Sequence, residues 1–156
     1  MSPAFKDITF GNKSTHYGSA KTRATVAPDG SAISVLFDKM QAQAGMTKRS
    51  SHRIRCDLTL RLVSPVETAT EILLDLRGAI IKTNRSTVST TILIHKRARP
   101  LTFSDNDTKG CSRFVINLPK GARKFSVSII ATARAKHPES AIVAIDSLDV
   151  AFRNPQ

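Results

Sequence analysis

Residues 53–62 alternate polar and apolar side chains without a break: Ile54, Cys56, Leu58, Leu60 and Leu62 against Arg53, Arg55, Asp57, Thr59 and Arg61. A two-residue period sorts side chains onto two faces only when the chain is extended. One face buried and one wet is the pattern of an antiparallel sheet packed on a single side. The wet face here is also cationic, which joins fold to possible function.

The same period recurs along the chain. Pro28-Asp29-Gly30 is a turn signal between Thr22–Val26 and Ser31–Phe37, in which Ile33, Val35 and Phe37 share a face. Gln41 to Ser51 is polar and reads as a loop, with Asp38–Met46 and Ser64–Leu73 able to hold a helical turn. Thr70–Arg77 places Ile72, Leu74 and Leu76 together, with Gly78 behind. Val88, Thr90, Ile92 and Ile94 alternate before Arg99-Pro100 interrupts. Arg113–Leu118 stops at Pro119-Lys120-Gly121, and Phe125, Val127 and Ile129 alternate with serines. Ala135 to Ser140 is a loop, and Ala141–Phe152 is the last extended region. About eight to ten short strands between turn signals predict an all-β antiparallel two-sheet sandwich of Greek-key or jelly-roll type. One domain over residues 21–156 is expected, preceded by an N-terminal arm or edge strand over residues 1–20. The length of 156 residues suits a single core.

Twenty-four basic and twelve acidic side chains leave a formal charge of +12. Such a field attracts polyanions: nucleic acid, acidic glycans, cell-wall polymers or anionic head groups. The alternative is a solvated basic surface with no dedicated partner. The cations cluster as Lys48, Arg49, His52, Arg53 and Arg55, with Arg61 on the same strand face; as His95, Lys96, Arg97 and Arg99; as Lys120, Arg123 and Lys124; and as Arg134, Lys136 and His137. Arginine forks pair carboxylate, sulfate or phosphate in two-point contacts. Single-stranded base recognition also needs aromatic platforms. The chain has no Trp and only Tyr17, and Phe37, Phe114, Phe125 and Phe152 fall on core faces. The same shortage argues against neutral-sugar stacking, and charge-driven binding of low specificity survives both objections.

Other chemistries find little support. His16, His52, His95 and His137 stand apart from one another and from Cys or carboxylates at ligand spacing, so no metal or cofactor site is expected. No Gly-x-Ser-x-Gly elbow and no phosphate-cradling glycine loop occurs. Asp105-Asn106-Asp107 with Gly110 matches part of a calcium loop but lacks the terminal Glu. The acidic residues are too scattered for spacing to select a catalytic pair. Sequons at Asn12, Asn84 and Asn106 matter only in a glycosylating secretory route. Cys56 and Cys111 allow one bridge, closing a loop of about 55 residues that chain entropy values at about 4 kcal/mol; the alternative is two reduced thiols. No apolar run is long enough for a membrane helix. Met1 to Phe10 has no hydrophobic signal core, which leaves a cytosolic protein or the mature form of a secreted one.

Several phrases occur together in a suggestive order: Ile8-Thr9-Phe10-Gly11, Val26-Ala27-Pro28-Asp29-Gly30 through Phe37-Asp38, Arg55-Cys56-Asp57-Leu58, Leu74-Asp75-Leu76-Arg77-Gly78, Lys109-Gly110-Cys111 with Val115-Ile116-Asn117, and Ile145-Asp146-Ser147-Leu148-Asp149. In these the chain resembles a family of small secreted β-rich proteins of fungi and bacteria, known as a domain of unknown function. The resemblance implies export after signal-peptide removal and supplies no activity. It also implies four cysteines, of which the inner two match Cys56 and Cys111. Ser19 or Lys21 stands near the first, and the chain ends at Asn154-Pro155-Gln156 without the last. If the inner two are not partners in that family's pairing, the bridge does not follow from the resemblance.

The expected function is therefore a secreted, non-enzymatic sandwich binding an anionic surface or polymer through Lys48, Arg49, Arg53, Arg55, Arg61, Arg97 and Arg99. The alternative is a self-assembling coat, sheath or matrix subunit, a homo-oligomer built through sheet edges and the N-terminal arm.

Overall fold

The computed structural model describes residues 2–11, 22–45, 49–94, 97–100 and 110–153, with 97–100, 110 and 111 in backbone only. Among these the regular structure is all strand: β1 (Phe5–Phe10), β2 (Thr22–Val26), β3 (Ala32–Ala44), β4 (Ser51–Leu62), β5 (Thr70–Lys82), β6 (Thr87–Ile94), β7 (Arg97–Pro100), β8 (Gly110–Leu118), β9 (Lys124–Arg134) and β10 (Ala141–Phe152). They form two five-stranded antiparallel sheets. Sheet A has the order β1-β4-β9-β6-β7 and sheet B the order β2-β3-β10-β5-β8.

Eight of the strands pair in a nested series: β3 with β10, β4 with β9, β5 with β8, and β6 with β7. That nesting is a long hairpin rolled over itself, and it makes the sandwich a jelly roll. β1 and β2 extend the two sheets at the open side, β1 against β4 and β2 against β3. The N-terminal segment thus contributes an edge strand.

Alternation decides which face of each strand is buried. Cys56, Leu58 and Leu60 from β4 and Val127, Ile129 and Ala131 from β9 meet Ile33 and Val35 from β3 and Leu148 and Val150 from β10. Each Val, Leu or Ile so buried contributes about 1.5–3 kcal/mol of transfer free energy. Phe5 stacks on Phe152 at 4.3 Å, closing the core at the β1 end.

Four strands differ from the pattern read in the sequence, β8 among them because it begins at Gly110 rather than Arg113. β3 continues to Ala44, where a loop or helical turn was expected from Asp38 onward. Its buried positions shift from Ile33, Val35 and Phe37 to Met40, Ala42 and Ala44. The shift occurs at a bulge: Met40 pairs with Ile145 and Leu36 with Ser147, so residues 37–39 lie against the single Asp146. Lys39 takes a positive φ of 58° there. β5 runs through the buried Gly78 to Lys82 rather than ending at Arg77. Arg97–Pro100 is strand β7, not an interruption, and it tolerates Pro100 because it is an edge pairing only with β6.

The Cys56–Cys111 bridge does not form: Cys56 is a buried free thiol. β4 packs over β3, whereas Cys111 lies on β8, three strand steps from β3 in the opposite sheet. Three steps are about 14 Å, twice the Cα separation of about 7 Å that a disulfide can span.

Candidate functional site: a cationic sheet face

The outer face of sheet A is laid out by register. Across β4, β9 and β6 it reads Ser51, Arg134, Thr87 in one row, Arg53, Thr132, Ser89 in the next, and Arg55, Ile130, Thr91 in the third. Further along β4 follow Asp57 beside Ser128 and Thr59 beside Ser126, then Arg61 beside Lys124. Arg53 and Arg134 are both exposed and are diagonal neighbours, about 7–8 Å apart.

The arginines of this face are not equivalent. Arg61 makes two bonds to Asp7 on β1, at 2.7 and 2.6 Å. This clamp holds the Asp7 carboxyl below its ordinary range and raises the Arg61 guanidinium. Arg55 donates to Asp57 at 2.9 Å, and Asp57 also accepts from Ser128. Two of the three arginines of the β4 row therefore already hold a carboxylate. Arg53 stands at the end of the row that adjoins the loops.

Three loops meet at that end of the sandwich. Gly45 donates to the Arg49 carbonyl at 2.9 Å, and Ala135 to the Ser50 carbonyl at 2.9 Å. Thr83 donates to the Ser140 carbonyl at 3.0 Å, and the Ser140 amide returns a bond to Thr83 Oγ1 at 3.1 Å. The β3–β4, β5–β6 and β9–β10 loops are thus tied together, and they carry exposed Arg49, Arg85, Lys136 and His137 with half-buried Lys82 and Glu139. With Arg53 and Arg134 these residues form a cationic rim continuous with the rows above.

The remaining sequence candidates lie elsewhere. Lys48, His16, His95, Lys96, Tyr17, the Asp105–Asp107 segment and the Asn12 and Asn106 sequons fall outside the described residues. The backbones of Arg97 and Arg99 sit on edge strand β7, in register with Ile94 and Ile92 and apart from the β4 row. Lys120, Arg123 and Lys124 lie at the opposite end, around the β8–β9 turn. His52 is half-buried and accepts at Nδ1 from the Gln43 amide. Local clustering of charge in the sequence identified Arg49 and Arg53, and separately Arg134, Lys136 and His137. That these two clusters meet, and that Lys82 and Arg85 join them, depends on long-range strand pairing, for which a single sequence carries no signal.

Other groups that could do chemistry are already engaged. Burial, and then the Asp57 charge, push the Cys56 thiol up to about 12, so no thiolate forms near neutrality. Asp75 and Asp149 are side by side in register, but Asp75 holds Arg113 at 2.8 Å and Asp149 accepts from Ser34 at 2.8 Å. Both lie on the outer face of sheet B rather than in a cleft. A cleft of about 990 Å³ is at the end opposite the cationic rim and includes Asp29, Glu71, Phe152 and Arg153. Among the described residues no group of His, Cys, Asp and Glu is placed to hold a metal. No described helix is long and apolar enough to cross a membrane.

No family model matches the chain, and no curated protein matches it. Among solved structures it is similar to a GH26-CBM35 β-(1,4)-mannanase of Podospora anserina, with 14% identity over 99% of this chain and 28% of that one at a TM-score of 0.41. It is also similar to a family 35 carbohydrate-binding module of Clostridium thermocellum, with 14% identity, 96% and 98% coverage and a TM-score of 0.34. A Cry1Da tryptic core variant of Bacillus thuringiensis matches at 8% identity over 95% of this chain and 23% of that one, with a TM-score of 0.37. The chain thus spans about a quarter of the mannanase and toxin chains. The jelly-roll architecture itself stands on this chain's own strand pairing.

Proposed function

We propose that this chain is a secreted, non-enzymatic binding module that takes an anionic polymer at the cationic end of sheet A. One observation carries the assignment: exposed Arg53 and Arg134 adjoin loops bearing Arg49, Arg85 and Lys136, with Glu139 the acid among them. Bidentate guanidinium contacts fit carboxylate, sulfate or phosphate groups. The extracellular setting follows from the family resemblance. Retention on immobilised heparin and on duplex DNA between 50 and 200 mM salt tests the assignment. With three or four charge contacts, affinity for DNA falls about 40- to 150-fold over that range. Arg53→Glu with Arg134→Glu removes most of that dependence and abolishes retention. Binding that ignores both salt and this double variant would overturn it.

A second function, a self-assembling subunit, draws on the nine-residue edge strand β8. Light scattering at several concentrations decides it, and a strict monomer throughout removes it.

A further inference from the structure

The cationic rows contain more than charge. Ser51, Thr87, Ser89, Thr132 and Thr91 occupy five of the nine positions in the three rows, and each row holds one arginine. Ser51, Thr87 and Ser89 are exposed, and Thr132 and Thr91 are half-buried. Rows are about 6.8 Å apart along the strands and columns about 4.8 Å apart across them. Guanidinium groups thus recur at a two-residue step, with hydroxyls beside and between them. Each hydroxyl both donates and accepts. Ile130 is the one apolar residue of the three rows, and none is aromatic.

A DNA backbone uses the guanidinium positions and can accept from the intervening hydroxyls, but its phosphodiesters carry no donor for those hydroxyls to accept from, and the bases of a single strand find no ring to stack on. A polysaccharide bearing carboxylate or sulfate groups places neutral hydroxyls between its charges and so matches both kinds of position. We infer that the β4–β9–β6 rows recognise an acidic polysaccharide, its anionic groups on Arg53 and Arg134 and its sugar hydroxyls on Thr87, Ser89 and Thr132. This rests on the anionic-polymer function proposed above and narrows it to one class.

Affinities of the full chain for polygalacturonate, dextran sulfate, polyphosphate and duplex DNA at matched salt test the inference. Three proteins are compared: the parent chain, Thr87→Val with Ser89→Ala, and Arg53→Gln with Arg134→Gln. Thermal unfolding verifies that each is folded; both hydroxyl sites are exposed positions within a strand. The hydroxyl variant is expected to lose about tenfold in affinity for at least one of the two glycans and less than twofold for polyphosphate. Which glycan responds separates carboxylate from sulfate recognition. The arginine variant is expected to weaken all four ligands. Unchanged glycan affinity in the hydroxyl variant, an equal loss on polyphosphate, or DNA bound more tightly than either glycan would overturn the polysaccharide inference while leaving polyanion binding intact. Indifference of all four ligands to the arginine variant would remove both.

Discussion

On the outer face of sheet B, Arg23, Arg77 and Arg113 share the surface with Asp75, Asp149 and Glu71. Asp75 and Arg113 are in register and paired, and Glu71 holds Arg153 at 3.3 Å. On sheet A, among the described residues, Arg53, Arg55, Arg61, Lys124 and Arg134 face only Asp7 and Asp57. Those two carboxylates are both at the half away from the loops or in the middle of β4, so the excess charge gathers at the loop end. The two faces draw on the same residue types. Placement of the carboxylates, rather than abundance of arginine, makes one face nearly neutral and the other cationic.

The loop end depends on backbone packing as much as on charge, which gives the largest expected effect. Gly45 has φ +84°, and a Cβ there would lie 2.1 Å from the Glu139 carbonyl oxygen. Gly121, at the opposite end, has φ +89° and open space around it. Gly45→Ala therefore combines left-handed strain with a backbone clash and is expected to cost at least about 3 kcal/mol; Gly121→Ala costs about 1–2 kcal/mol from strain alone. Urea unfolding of the two variants measures the difference. Gly45→Ala also separates the β3–β4 and β9–β10 loops and lowers polyanion retention, whereas Gly121→Ala leaves retention unchanged. Equal costs would mean that the loop apposition does not organise the rim.

Releasing one arginine on each face gives a smaller effect and a sharper contrast. Asp57→Asn releases Arg55 from its carboxylate beside Arg53, and Asp75→Asn removes the Asp75 contact of Arg113 on sheet B. Both raise net charge by one. If position matters, Asp57→Asn strengthens heparin binding about threefold and steepens its DNA salt slope by about one contact. Asp75→Asn then changes either by less than about 1.5-fold. An equal gain in both variants would make net charge, not the sheet A face, the determinant.

Much of the fold was legible because a period of two is a property of neighbouring residues. β2 and β10 coincide with the segments Thr22–Val26 and Ala141–Phe152 read from the sequence, and β4 buries the face that its alternation picks out. The second half of β3 was hidden because the bulge at Lys39 breaks the period and Ala42 and Ala44 carry a weak apolar signal between glutamines. The nested pairing was not legible at all, since nothing local says that β4 meets β9 rather than β5. The site suffered most from this. The Arg55–Asp57 clamp spans two residues on one strand face and could have been anticipated. Asp7 holds Arg61 across 54 positions, and Arg134 reaches Arg53 only through the β4–β9 register.

The smallest expected effect belongs to that Asp7–Arg61 clamp. Both side chains are well exposed, Arg61 at 47% and Asp7 at 36%, so the pair adds little to stability. Its pH dependence still identifies it. Arg61, by hydrogen bonding to the carboxylate, lowers the folded-state value of Asp7 below the unfolded value near 3.8. The unfolded chain then binds more protons than the folded one between those two values, so stability rises with pH in that window. The contribution is complete above about pH 5 and disappears as pH falls through the depressed folded value. Asp7→Asn removes it at every pH. Melting temperatures of the parent chain and Asp7→Asn should therefore differ by about 1–2 °C at pH 6, and the gap should narrow as pH falls below the unfolded value near 3.8, because protonation does to the parent what the substitution does permanently. A gap that does not narrow at all as pH falls below that value would show that Asn at this site acts through packing of edge strand β1 rather than through the Asp7 charge.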